Sequence, residues 1–260
     1  MGGTKRVLML GDVVGEAGVA ALEKRLPALI RATGADLVVA NGENATGGFG
    51  IAAPELERIL DAGVDVVTSG NHVWEKKGYA ELLESEERLI RPANYPEGAP
   101  GRGSVLVEKS GVRWLVCNLQ GRERMRAIDC PFRAGEKLAA AGAEALAVVL
   151  VDFHAESNEE KEALCFHLDG AVAAVVGTHT HVQTADARVS AKGTACLTDL
   201  GMCGPVDSVI GMKVDTCVRR SVSQMPLKME VAEGAATIRG ALVEIDPETR
   251  LAVSIEAVKD

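Results

Sequence analysis

The sequence predicts an α/β fold built on central β-sheets. Short runs rich in Val and Leu alternate with helical patterns through the first two thirds of the chain. This alternation is typical of βαβ units around a sheet that is buried on both faces. After Thr184 the pattern changes to short, mainly β segments. We therefore expect two packed sheets flanked by helices, the second sheet being formed by strands of this last part.

The first part of the chain carries alternating strand and helix signals. Apolar runs predict strands at 6–10, 36–40, 64–68, 114–118, 148–153 and 171–176. Periodic apolar positions predict helices at 19–32, 54–62, 135–147 and 158–168. Pro27 lies inside the first of these helices, and we expect it to kink the helix or to start a second short one, because proline cannot donate the internal hydrogen bond.

The remaining segments are read from β-propensity and turn residues. Strands are predicted at 187–189, 195–198, 227–231, 235–245 and 251–258, with turns at Glu233-Gly234 and Asp246-Pro247. The stretch 91–103 contains three prolines and is predicted to be a long irregular loop.

Length and composition exclude several classes of protein. A chain of 260 residues suits one α/β domain over 1–260, and the scarcity of aromatic residues (3%) predicts an aliphatic core. The net charge of -9 argues against nucleic-acid or membrane-surface binding, which needs clustered Lys and Arg. Gly11 and Asp12 interrupt the first apolar run, so no signal peptide is predicted. The longest uncharged apolar run, 145–151, is too short to cross a bilayer, and we expect a cytoplasmic protein.

The six cysteines form no CxxC pair and are too dilute for a disulfide framework. We expect them to be reduced, mostly buried and without a role in the chemistry.

Polar residues that can bind metal repeatedly follow a predicted strand. They are Asp12, Glu43, Asn44, Asn71, His72, His154, His179 and His181. Ligands of an open α/β sheet bind outside the carboxyl ends of its strands, so these side chains are expected to converge on one crevice.

Each of these residues has an ordinary structural interpretation when taken alone. A single histidine beside a core strand is usually a hydrogen-bonded packing residue, and Asp12 or Asn71 could cap a helix. Four of the five histidines nevertheless fall at strand ends, with only His167 inside a helical pattern. His179 and His181 are two apart, and in an extended segment they would point to the same side. Carboxylate, imidazole and amide donors without thiolate suit Fe, Mn or Zn in an open site.

At these residues the sequence resembles the bacterial YmdB-like metallophosphoesterases, a branch of the calcineurin-like superfamily. The matching blocks are GDVVG at 11–15, NGENA at 41–45, GNH at 70–72 with Trp74, NLQGR at 118–122, DFHAE at 152–156, GTHTHVQTAD at 177–186, TDLGM at 198–202 and Gly204-Pro205. The resemblance covers nearly the whole chain and implies the calcineurin-like metallophosphoesterase fold.

The resemblance also implies a ligand set for two metal ions, of which iron is expected first, with manganese or zinc as alternatives. Asp12, Glu43 and His181 would hold the first ion, with Asn44 beside it or on the substrate phosphate. Glu43 would bridge to the second ion, which Asn71, His154 and His179 would complete. Val14 stands where the wider superfamily has a histidine of an Asp-x-His motif, so one metal has fewer protein ligands.

The implied activity is phosphodiester hydrolysis of small cyclic nucleotides, namely 2',3'-cyclic mononucleotides and also 3',5'-cyclic AMP. A hydroxide that bridges the two metals would attack phosphorus, and His72 would protonate the leaving alkoxide. Similar proteins form homo-oligomers, and we expect the same here. Two alternatives stay open at this point: a phosphomonoesterase or nucleotidase on the same site, and a non-catalytic cyclic-nucleotide sensor.

Overall fold

A computed structural model describes residues 3–260 of the chain. In this range the chain forms thirteen strands and six helices. The strands are β1 (Lys5–Val13), β2 (Leu37–Asn41), β3 (Val66–Thr68), β4 (Ser104–Lys109), β5 (Val112–Gln120), β6 (Val148–His154), β7 (Ala174–Thr178), β8 (Arg188–Val189), β9 (Ala195–Leu197), β10 (Met202–Pro205), β11 (Ala236–Thr237), β12 (Arg239–Asp246) and β13 (Leu251–Lys259). The helices are α1 (Gly15–Thr33), α2 (Ala53–Asp61), α3 (Tyr79–Ser85), α4 (Pro131–Glu144), α5 (Asn158–His167) and α6 (Val214–Ser223).

The first sheet has seven strands and is centred on β1. On one side β1 pairs in parallel with β2, which pairs in parallel with β3. On the other side β12 pairs antiparallel with the first part of β1, and β10 pairs in parallel with its last residues, Asp12 and Val13. The strands β11 and β13 lie next to β10 and β12. Both edges of β1 are therefore occupied up to the residue that is expected to bind metal.

The second sheet has six strands in the order β4-β5-β6-β7-β9-β8. The strands β5, β6, β7 and β9 run parallel to one another. The expectation that the strands after Thr184 would build this sheet is wrong for β10 to β13, which join the first sheet. These strands join the first sheet because the buried N–H and C=O groups of β1 need hydrogen-bond partners on both sides. Strand β12 supplies the partners on one side over six residue pairs.

The two sheets pack face to face with helices on the outside. Alternate residues of β1 separate the two faces: Val7 and Met9 face the layer between the sheets, where they meet Trp114 and Leu150 of the second sheet. Leu8 and Leu10 lie on the other face, in the same cluster as Leu22 and Leu26 of α1. A third cluster joins the outer face of the second sheet to α4 and α5. This arrangement confirms the predicted fold of two sheets flanked by helices.

Most predicted elements of the first part are present, but several boundaries differ. Helix α1 starts at Gly15 and continues through Pro27, so the proline does not end it. Burial of Leu22 and Leu26 contributes about 1.5–3 kcal/mol each, which offsets the roughly 3 kcal/mol that an internal proline costs. Helix α4 begins four residues earlier than predicted, because Pro131 suits the first turn of a helix.

Other elements were missed or misassigned from the sequence. The short helix α3, the helix α6 and the strands β4 and β10 were not predicted. The segment 227–231 was predicted to be a strand, yet Val231 makes only an isolated bridge with Met212. None of the helices in residues 3–260 combines the length and the apolar character that a bilayer span needs.

The cysteines also differ in part from the prediction. Cys165 of α5 and Cys196 of β9 are joined as a disulfide, which corrects the expectation that all six are reduced. Both side chains are buried where α5 packs against the second sheet, and this tertiary contact brings together residues 31 positions apart. Cys117, Cys130, Cys203 and Cys217 are free, and of these only Cys130 is not buried.

Candidate metal centre

The candidate site lies at the carboxyl ends of the parallel strands in both sheets. In the first sheet Asp12 is in register with Asn41, the last residue of β2. In the second sheet His154 ends β6 in register with Thr178, the last residue of β7. Because the sheets pack face to face, the polar strand ends of both meet at one place, and Asp12 and His154 are fully buried there.

One group of side chains surrounds the Nε2 atom of His154. This atom lies 2.8 Å from Glu43 Oε1, 3.0 Å from His179 Nδ1 and 3.2 Å from Asn71 Oδ1. The ligand atoms offered by Glu43, His154 and His179 all lie within 4.8 Å of one another. The structure thus brings together the four residues expected to hold the second ion.

A second group lies beside the first and shares Glu43 with it. His181 Nε2 is 3.8 Å from Asp12 Oδ1 and 3.2 Å from Asn44 Nδ2. The Asn44 amide donates to Asp12 Oδ1 and to Glu43 Oε1, both at 3.4 Å. The residues expected to hold the first ion are therefore also adjacent, and Glu43 stands between the two groups.

The turn that carries His179 and His181 differs from the extended segment that the sequence suggested. Strand β7 ends at Thr178, and both histidines have positive φ angles, 103° and 65°. Two-residue alternation in a strand is therefore not why both imidazoles face the site. The His179 N–H donates to Asp12 Oδ2 at 3.0 Å, and His181 Nδ1 lies 2.8 Å from the Ile210 carbonyl oxygen.

Buried residues that sequence reasoning did not assign hold His154 in place. Its Nδ1 atom lies 2.9 Å from Thr178 Oγ1, which donates to Asp152 Oδ1 at 2.7 Å. Asp152 Oδ2 also accepts from Thr68 Oγ1 and from Asn41 Nδ2. A proton on Nδ1 leaves the Nε2 lone pair free for a metal, and such partners orient metal-binding histidines. The sequence signal was Asp152 itself, a carboxylate inside an apolar strand, which must be paired when buried.

Burial and neighbouring charges set the pKa values of the site. Burial raises the pKa of Asp12 to about 6, although the nearby His181 and His154 oppose the shift. Burial would also raise the pKa of Glu43, but the attraction and hydrogen bond of His154 prevail and lower it to about 2. Conversely, burial disfavours charge on His154, yet Glu43 raises its pKa to about 9. Burial, with the charge of His154 next, lowers the pKa of His179 to about 3. Glu43 thus favours the protonated form of His154, so a metal ion would have to displace that proton, whereas His179 is neutral, the form in which an imidazole binds metal.

The donor set and the space around it fit transition-metal ions. Carboxylate oxygen, imidazole nitrogen and amide oxygen converge in an open site, whereas the buried thiol of Cys203 has its pKa raised to about 12 by burial. Gly70 has no side chain to fill this space: a Cβ there would lie 2.2 Å from His154 Cδ2 and 2.5 Å from Glu43 Oε2. The chain keeps this position open where the ligand atoms meet.

His72 lies at the rim of the site. Its backbone N–H donates to Glu43 Oε2 at 2.9 Å, and its Nδ1 is 2.6 Å from Glu75 Oε1. The ring packs edge-on against Phe49, and the side chain is 26% exposed, which leaves it accessible to a substrate. Glu75 is a neighbour that sequence reasoning missed. His167, in contrast, pairs with Glu136 of α4 at 3.0 Å and takes no part in the cluster.

A sandwich of two sheets with clustered carboxylate and imidazole donors at its strand ends defines a metallophosphoesterase fold. The chain belongs to the family of YmdB-like proteins, whose family model matches residues 8–258. It is 42% identical to the 2',3'-cyclic-nucleotide 2'-phosphodiesterase of Bacillus subtilis (strain 168) over 253 residues, which cover 97% of this chain and 96% of the relative.

Two solved structures are similar over the whole fold. A protein of Thermus thermophilus described as hypothetical superposes with a TM-score of 0.91 at 41% identity, covering 98% of each chain. A novel phosphatase from Mycoplasma pneumoniae superposes with a TM-score of 0.93 at 33% identity, covering 100% of this chain and 94% of the other. These comparisons confirm the family, the fold and the enzyme class, a hydrolase of phosphodiester bonds.

Proposed function

We propose that this protein is a dimetal phosphodiesterase that hydrolyses 2',3'-cyclic nucleotides, with 3',5'-cyclic AMP as a second substrate. The observation that carries the proposal is the convergence of Glu43, His154, His179 and Asn71 on one point, with Asp12, Asn44 and His181 adjacent. The name of the Bacillus subtilis relative supports the choice of substrate class.

The site residues have separable tasks in this proposal. Bound metal ions would supply Lewis-acid chemistry, namely charge stabilisation at the phosphoryl oxygens and a more acidic attacking water. Glu43 is the ligand shared by the two groups, since its Oε1 contacts both His154 and Asn44. Thr178 and Asp152 keep His154 oriented towards the shared position.

His72 is the proposed proton donor to the departing ribose oxygen. Water adds its oxygen to phosphorus, the bond from phosphorus to one ribose oxygen breaks, and that oxygen takes a proton. The Glu75 carboxylate contacts Nδ1, which orients the ring and leaves Nε2 to face the substrate.

Local charge favours a diester over a monoester, and one buried donor is available to the substrate. Besides burial, the positive charge of Lys161 contributes to the lowered pKa of His179, but this lysine is already paired with Asp199 and is not free to bind a dianionic phosphate. Gln120 is in register with His154 on the adjacent strand, and its buried Nε2 has no hydrogen-bond partner within residues 3–260. This donor is suited to a phosphoryl or ribose oxygen of the substrate.

Metal identity and assembly complete the proposal. Iron is the first choice, with manganese or zinc as alternatives, because the nitrogen and oxygen donors suit all three. We also propose that the protein is a cytoplasmic homo-oligomer. Light scattering would measure the mass of the assembly directly.

The proposal is tested by assaying metal-quantified protein against bis-p-nitrophenyl phosphate and 2',3'-cyclic AMP, with p-nitrophenyl phosphate as the monoester control. We expect about two metals per chain and a clear preference for the diesters. His154→Ala should abolish metal binding and diester hydrolysis, whereas the matched variant His167→Ala should change neither the metal content nor the activity.

Each other outcome points to a different function. A preference for the monoester would favour a nucleotidase on the same site. Full metal occupancy without turnover of any of these esters would favour a cyclic-nucleotide sensor, which can be measured by binding of the nucleotide alone.

A further inference from the structure

A buried ion pair lies behind the turn that carries His179 and His181. Lys161 of α5 is 2% exposed and Asp199 is fully buried, and Lys161 Nζ lies 2.8 Å from Asp199 Oδ2. The lysine side chain passes over Gly177 of β7, where an added Cβ would lie 2.8 Å from Lys161 Cδ. Removing two charges from water costs free energy that their mutual attraction offsets only when the geometry is good. A buried ion pair is therefore weak evidence for a purely stabilising role, and a functional role needs to be considered.

The Asp199 carboxylate connects the two segments that carry ligands of the candidate metal centre. Its Oδ2 accepts from both the backbone N–H and the hydroxyl of Thr180, at 3.1 and 2.8 Å. Its Oδ1 accepts from the Gly201 N–H at 2.8 Å, and the Gly201 carbonyl in turn accepts from the Asp12 N–H at 3.1 Å. One carboxylate therefore restrains the residue between the two histidines and the loop that supports Asp12.

The hydrogen bonds of Asp199 restrain a turn whose backbone conformation is unfavourable. His179 and His181 both have positive φ angles, which are costly for non-glycine residues and persist only when surrounding contacts enforce them. Thr180 stands between them, and its two hydrogen bonds to Asp199 restrain the turn at that point. Cys165 lies one turn after Lys161 on α5, and its bond to Cys196 ties the same helix to the strand that leads to Asp199.

We propose that Lys161 and Asp199 are positioning residues that hold His179 and His181 in the geometry required to bind metal. Lys161 supplies the counter-charge for Asp199, and Asp199 holds the turn through Thr180. Neither residue touches the substrate. The proposal rests on the proposed metal centre, and its test is chosen so that the two can fail separately.

The test measures the affinity of the metal-free chain for Mn²⁺ by titration calorimetry, together with the melting temperature. Lys161→Met keeps the length of the side chain and removes its charge, and we expect the dissociation constant to rise about 10- to 100-fold, as for other partners of metal ligands. Thr180→Val removes a hydroxyl on a half-buried turn, which donates to Asp199 and accepts from the Val182 N–H at 3.4 Å, and we expect the dissociation constant to rise about two- to tenfold.

Lys109→Met is the matched control, because Lys109 pairs with Asp65 at 2.6 Å outside the candidate metal centre. This variant should bind Mn²⁺ as the wild-type chain does. A purely structural role for Lys161 would lower the melting temperature and leave the affinity of the folded protein unchanged.

The outcomes separate the two proposals. If the wild-type chain binds no Mn²⁺, the proposed metal centre is wrong. If the wild type binds but Lys161→Met and Thr180→Val bind equally well, the positioning role is wrong. Should Lys161→Met fail to fold, Thr180→Val decides alone, and an unchanged dissociation constant in that variant overturns the inference.

Discussion

Replacing Gly70 by alanine should disable the metal centre without unfolding the protein. The new Cβ would lie 2.2 Å from His154 Cδ2, 2.4 Å from His154 Nε2 and 2.5 Å from Glu43 Oε2. Carbon atoms in contact are normally about 3.5–4.0 Å apart, so the ligand atoms must move by more than about 1 Å. Gly70 does not have a positive φ, so the substitution adds no backbone strain of that kind.

The expected magnitude follows from that displacement. A misplacement of about 1 Å at a reactive centre can cost about 100-fold in rate, and we expect a loss of this order in diester hydrolysis with a weaker affinity for Mn²⁺. Overpacking should lower the free energy of unfolding by about 1–3 kcal/mol, which urea denaturation would measure.

Gly142→Ala is the matched control for this variant. Gly142 lies in α4, and a Cβ there would lie 2.1 Å from Val149 Cγ2, an overlap similar to that at Gly70 but in the outer cluster of the second sheet. This variant should lose similar stability and keep its turnover and its metals. Wild-type metal affinity and turnover in Gly70→Ala would refute the assignment of His154 and Glu43 as ligands.

Three further variants test individual roles. Glu43→Gln should reduce metal content to at most about one ion per chain by mass spectrometry, because the shared ligand is lost; both metals with full activity would remove Glu43 from the bridging position. Thr178→Val takes away the acceptor near His154 Nδ1 and should weaken Mn²⁺ binding about 10- to 100-fold, and an unchanged affinity would show that the ring needs no such partner. His72→Ala should slow 2',3'-cyclic AMP hydrolysis about 100-fold or more while sparing p-nitrophenyl esters, whose leaving group needs no proton; an equal loss for both would count against a general acid.

The residues of the candidate site could be predicted from the sequence because each closely follows a recognisable strand in the chain. The apolar runs before Asp12, His154 and His179 predicted buried strands, and parallel strands place their carboxyl ends together. The convergence of these side chains is observed in the structure, while their roles as ligands stay a prediction. The cluster also includes Asn44 and Asn71, whose side chains would read as turn or cap residues in isolation.

The supporting residues were beyond sequence reasoning for a different reason. Thr178 and Asp199 lie in blocks that match the family, yet they and Lys161 are common residue types whose role no local spacing indicates, and their partners lie 19 to 38 positions away. Glu75 is closer, three residues after His72, but its exposed carboxylate resembles any solvated surface charge. Their importance becomes visible only when burial and distance are known.

The sequence by itself determined the α/β class, most of the alternating strands and helices up to Thr184, the family and the residues that meet at the strand ends. These depend on apolar periodicity and on the order of residues within short segments. Tertiary structure alone decided that β12 returns to pair with β1 across more than 200 residues, that Pro27 stays within a helix, and that Cys165 meets Cys196. It also decided the positive φ angles of His179 and His181. Strand pairing, packing against a helix and an enforced backbone conformation are set by contacts between distant parts of the chain, and no local pattern encodes them.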